Sequence, residues 1–123
     1  MQLLDVSEAI LAKVRPLCSA LPQTRERTMT SGIGFYIRQK TFAFVMAVEN
    51  DEGRCSDLLT FRADPMERAA LAAQGHPFFA LGKGSHDVGV VLDESTDWVE
   101  IGELVTESYR LVAPEKLLAL LPE

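Results

Sequence analysis

The sequence predicts an α+β domain of order α-β(3)-α-β(2)-α, an antiparallel sheet with helices packed on it. Two observations carry this expectation. Apolar stretches rich in aromatic and β-branched residues, from Phe35 to Val48, from Ser56 to Arg62 and from Asp87 to Asp93, follow turn-like segments, as antiparallel strands do. Two Asp-led starts, Asp64-Pro65-Met66-Glu67 and Asp97-Trp98-Val99-Glu100, open runs with helical spacing. No internal repeat, low-complexity stretch or linker divides the 123 residues, so residues 1–123 are read as one domain with a single core.

Each element has a local reason. Asp5 and Glu8 fit a capping box ahead of apolar residues at Ala9, Ile10, Ala12, Val14, Leu17, Cys18 and Leu21. Pro16 lacks an N–H and clashes with the preceding turn, so the expectation is two short helices, or one kinked at Arg15-Pro16, ending at Leu21-Pro22. Gln23 to Ser31 is polar and reads as a loop or a ragged first strand. A hairpin follows: Phe35–Arg38, a turn at Gln39-Lys40, then Thr41–Val48. Asn50–Gly53 turns the chain into Ser56–Arg62. In the next helix Asp64 is the cap, Pro65 suits the first helical position and Gly75 ends the run. His76–Leu81 is a short strand, Gly82–Ser85 a turn and Asp87–Asp93 the last strand. In the long helix after Asp97, Trp98, Ile101, Leu104, Val105 and Ser108 share one face and Glu100, Glu103 and Glu107 the other. Arg110 suits its C-terminal dipole, and Pro114 opens a last short helix, PEKLLALL.

Composition narrows the function classes. No apolar run reaches the roughly 18 to 20 residues of a membrane span, and the first residues lack the basic start of a secretory signal. Cys18 and Cys55 have no metal-like spacing and read as reduced thiols, which together point to the cytoplasm. The net charge of −6 opposes generic nucleic-acid binding, but its distribution is uneven. Between residues 9 and 48 stand Lys13, Arg15, Arg25, Arg27, Arg38 and Lys40 against one acid, Glu26. Between residues 84 and 109 stand seven acids and no Lys or Arg.

GHPFF, VGVVLD and TDWVEIGELVTESYRLVAPEKL resemble the MmcQ/YjbR-like family of small bacterial proteins, with weaker likeness in RPLCSALP and IRQKTFA. That resemblance implies the α-β(3)-α-β(2)-α fold, likened to type III secretion chaperones. It also implies a DNA-binding label, drawn from likeness to a double-wing phage transcription factor domain. Where many members carry Asn-Lys-x-His-Trp, this chain has Lys83-Gly84-Ser85-His86-Asp87, keeping only the His.

Candidate residues follow from the basic segment. Arg38 and Lys40 flank the hairpin turn beside Tyr36, as a phosphate-contacting wing would need, and Arg27 and Lys83 are further candidates for a nucleic-acid backbone. Gly82-Lys83-Gly84-Ser85 is no Walker loop, because Pro77 stands where the first glycine belongs. His86 is a candidate ligand or turn contact. No catalytic or metal-binding set emerges, so no enzyme, cofactor or metal is expected. The expected partner is DNA, bound weakly and with steep salt dependence. The alternative is a protein- or ligand-interaction module, and the size suits a monomer or weak dimer.

Overall fold

The computed structural model describes residues 2–82 and 86–121, with the side chains of residues 2–4 left out. In chain order the elements are β1 (Gln2–Leu4), α1 (Glu8–Ser19), β2 (Arg25–Met29), β3 (Gly32–Ile37), β4 (Lys40–Glu49), β5 (Cys55–Arg62), α2 (Pro65–Gln74), β6 (Phe78–Ala80), β7 (Asp87–Leu92), α3 (Trp98–Val112) and α4 (Glu115–Leu118). Among the described residues the strands form one antiparallel sheet, β2-β3-β4-β5-β7-β6, with β1 paired to β4. The expected α+β order is present, extended by β1 and β2. No helix is long and apolar enough to cross a membrane among these residues.

Alternation divides the sheet into two faces. Phe35, Ile37, Val45, Leu59, Phe61, Val88 and Val90 face the helices and pack with Val14 and Cys18 of α1 and Ile101, Val105 and Tyr109 of α3. The paired registers put Arg25, Arg27, Gly34, Tyr36, Thr41, Phe44 and Met46 on the opposite face, which no helix covers among the described residues.

A β-bulge fixes how α3 docks. Phe35 pairs with Ala43 and Tyr36 with Thr41, so Phe42 is an extra residue on β4 and both Phe42 and Ala43 turn inward. The Phe42 ring meets Tyr109 edge-on at 5.3 Å. Ser108, the one fully buried polar side chain among the described residues, donates its hydroxyl to the Phe42 carbonyl and accepts the Arg62 N–H at 2.8 Å. One hydroxyl thus satisfies two backbone groups beside the bulge, each of which would cost about 1–3 kcal/mol if left unpaired in the core.

Several local expectations need correction. The hairpin turn is Arg38-Gln39, one residue earlier than read, because Lys40 already pairs with Ile37 and the bulge absorbs the difference at Phe42. Of the two alternatives for α1 the structure has the single helix, which carries Pro16 inside it and ends at Ser19 rather than Leu21-Pro22. Burial of Leu11, Val14 and Cys18, about 1.5–3 kcal/mol for each large apolar side chain, outweighs the roughly 3 kcal/mol a helical proline costs. Its N-cap is Ser7 rather than Asp5, and no side chain closes that cap. The two other starts behave as read. Asp64 accepts the Glu67 N–H at 2.9 Å, and Asp97 accepts those of Val99 and Glu100. Gly75 ends α2 at φ 79°, a conformation glycine adopts without strain.

Candidate functional site

The sequence Arg25-Glu26-Arg27 becomes meaningful once β2 is a strand. Alternation sends Glu26 to the helical side, where Arg15 of α1 grips it through Nε and Nη2, each 2.9 Å from a carboxylate oxygen. That hydrogen bond, together with the Glu26 charge, raises the Arg15 guanidinium above its ordinary pKa. The only acid of the segment is thereby engaged, and Arg25 and Arg27 project the other way with no carboxylate partner among the described residues. Arg27 lies over the Tyr36 ring, 4.9 Å from its centre, a cation–π contact that aligns both side chains.

These side chains border an open groove of about 1230 Å³. Arg25, Arg27, Arg38 and Lys40 line it with Tyr36, Gln23 and Gln39, and among the described residues no Asp or Glu does. The far wall is Leu111–Pro114, the end of α3. That helix end contributes about half a negative charge, which four full positive charges outweigh. The wall is held in place by Tyr109, buried in the core, whose hydroxyl donates to the Pro22 carbonyl at 2.6 Å. Burial pushes the pKa of this phenol up, which keeps it a donor.

The groove also carries local strain. Among the described residues only Gln23 (φ 57°) and Arg38 (φ 56°) are non-glycine residues at positive φ, and both line it. Arg38 is the first central residue of a two-residue hairpin turn, a position glycine fills at no cost. Such strain, of order 1–3 kcal/mol per residue, gathers at binding and catalytic sites.

Of the residues singled out from sequence, the structure brings Arg27, Arg38 and Lys40 together here. Lys83 lies outside the described residues. His86 is exposed at the other end of the sheet, where its carbonyl accepts the Ala63 N–H at 2.9 Å. Arg68 secures that corner, donating to the carbonyls of Leu81, Gly82 and Asp87. Arg25 and Gln23 complete the groove and were not singled out. The signal for Arg25 was the Arg-x-Arg spacing, which puts both cations on one face only if the segment is a strand.

Elsewhere the ionisable groups serve the fold. Among the described residues no three His, Cys, Asp or Glu side chains gather as a metal site would need. Burial pushes the Cys18 thiol up to about 12, far from a reactive thiolate, whereas Cys55 is exposed. Asp93 is held below its ordinary pKa by the hydroxyl and N–H of Ser95.

The comparisons agree with this architecture. The YjbR family model matches residues 19–111. A crystal structure of a Deinococcus radiodurans protein with the DUF419 domain is similar at 22% identity and a TM-score of 0.64, over 91% of this chain and 88% of that one. A Pseudomonas syringae protein is similar at 14% identity and a TM-score of 0.64, over 88% of this chain and 100% of that one. At these identities both show the fold alone. No protein of curated function matches the chain.

Proposed function

This chain belongs to the YjbR family, and we propose that it is a binding module, not an enzyme, whose basic groove takes the phosphate backbone of a nucleic acid. The observation that carries the reading is a groove with four cations and, among the described residues, no carboxylate, in a chain of net charge −6. Ion pairing elsewhere leaves Arg25, Arg27, Arg38 and Lys40 available, and Arg38 keeps its place in the turn despite a backbone that favours glycine. With only four such cations, binding is weak and steeply salt-dependent.

Fluorescence anisotropy with labelled duplex DNA, from low to physiological salt, tests this. The expected result is a log-linear fall in affinity with salt. The pair Arg38→Glu and Lys40→Glu lowers that slope by about 2, near 1 per lost phosphate contact. An unchanged slope and affinity in the double variant refutes the groove as the site.

A second reading, docking of a polypeptide, has one observation in its favour. An apolar groove of about 500 Å³ between α1 and α3 is floored by Leu17, Ala20 and Gly102 and rimmed by Glu103, Glu107 and the 74% exposed Val99. Absence of polyanion binding even at low salt would shift the weight to that reading.

A further inference from the structure

On the helix-free face of the sheet a second depression, of about 290 Å³, adjoins the basic groove. Arg27, Met29, Gly34, Tyr36, Gln39 and Thr41 line it, and Arg27, Tyr36 and Gln39 also belong to the groove. It is open because Gly34 has no side chain. A Cβ there would stand 3.4 Å from Phe44 Cδ2 and 3.6 Å from Met29 Sδ, within the hollow itself. Arg27 lies directly across from Gly34 on β2, and Thr41 directly across from Tyr36 on β4, so the lining comes from three adjacent chain segments of one sheet face.

The chemistry of this lining is specific in kind. The Met29 thioether supplies an apolar contact, Tyr36 an aromatic wall and Arg27 a planar cation already lying over that wall at 4.9 Å. At the rim, the Gln39 amide and the Thr41 hydroxyl can each donate and accept. A flat group with π faces and a hydrogen-bonding edge satisfies all of these at once. Nucleobases stack on aromatic rings and on arginine planes in this way when they are unpaired. Bases inside a duplex are already stacked and paired, and reaching the depression would require flipping one out.

We propose that the protein binds single-stranded nucleic acid, with phosphates along Arg25, Arg38 and Lys40 and one base seated in the depression beside Gly34. This deepens the polyanion reading of the groove and rests on it. Base recognition is tolerant of sequence, since every base offers a π face and the amide and hydroxyl at the rim can turn to suit its edge.

The test uses the full chain, fluorescence anisotropy at fixed low salt, and labelled oligothymidylate, oligouridylate, an abasic deoxyribose-phosphate strand of the same length, and inorganic polyphosphate as competitor. Three variants address the depression. Gly34→Val places branched bulk in it, and Gly34→Ala places one methyl there at ordinary contact distances should the valine disturb folding. Tyr36→Leu keeps bulk and removes the ring. The expected result is that base-bearing strands bind roughly tenfold or more tighter than the abasic strand. The Gly34 variants then lower their affinity towards the abasic level, Gly34→Val furthest, and leave the abasic strand unaffected, while Tyr36→Leu weakens base-bearing strands more than the abasic strand. Equal affinity for base-bearing and abasic strands, or unchanged affinity in all three variants, overturns the base pocket while the groove reading stands. Failure to bind any strand or polyphosphate overturns the groove reading and this inference with it.

Discussion

The two charged regions of this molecule use their charges in opposite ways. Around α2 and α3 the acids have structural tasks. Asp64 and Asp97 cap helices, Asp93 holds Ser95, and Glu107 lies 3.4 Å from Arg110 one turn on. At the hairpin end, Arg25, Arg27, Arg38 and Lys40 have no carboxylate partner among the described residues, and one of them stands in a strained turn. Acid exceeds base in the total, yet the acids named are consumed by the fold and these cations are left over. For recognition the unengaged charge matters more than the net charge, because a ligand competes only with partners that are already present.

This contrast can be broken most forcefully by reversing charge on each side in turn. Arg25→Glu with Arg27→Glu is expected to weaken oligonucleotide binding about a hundredfold or more near 0.1 M salt, where each phosphate contact is worth about one decade relative to 1 M. Glu103→Lys with Glu107→Lys leaves it nearly unchanged. A tightening from the Glu pair as large as the loss from the Arg pair, measured by anisotropy, would make long-range net charge the determinant and dissolve the contrast. A sharper cut comes from Arg38→Gly, which removes a cation and relieves the turn together. Binding is expected to fall about tenfold while the thermal midpoint stays level or rises. A falling midpoint would mean the Arg38 side chain supports the fold. The smallest effect is expected at Thr24, whose Oγ1 is buried without a hydrogen-bond partner. Thr24→Val keeps the shape, removes the unsatisfied hydroxyl and is expected to add about 1 kcal/mol in urea unfolding.

The parts of this architecture legible in the sequence are those with local causes. Asp64-Pro65 and Asp97 start helices because their side chains reach N–H groups two or three residues away, and the apolar spacing of α3 follows from its own 3.6-residue period. β2 was ambiguous because all five of its residues are exposed. Backbone pairing with β3 holds it, and no apolar alternation announces such a strand. β1 is only three residues long, too short for a periodic signal. The shifted turn has its cause at Phe42, where a bulge redistributes one residue in a way propensity does not register. For the candidate site, the cations of the hairpin were visible but the shape around them was not. The Leu111–Pro114 wall arrives through packing, and the hollow at Gly34 depends on which side chains two neighbouring strands place beside it.

The Tyr109 hydroxyl bond to the Pro22 carbonyl closes a separation of 87 residues. During synthesis the chain emerges from its N-terminus. The cations of β2 and the hairpin are therefore made well before the helix that walls the groove, and the contact setting that wall cannot form until residue 109 exists. Until then the nascent chain carries the charge of the groove without its shape. The shape of the groove is acquired only once α3 has been made and its tyrosine has reached back to the first turn of the chain after α1.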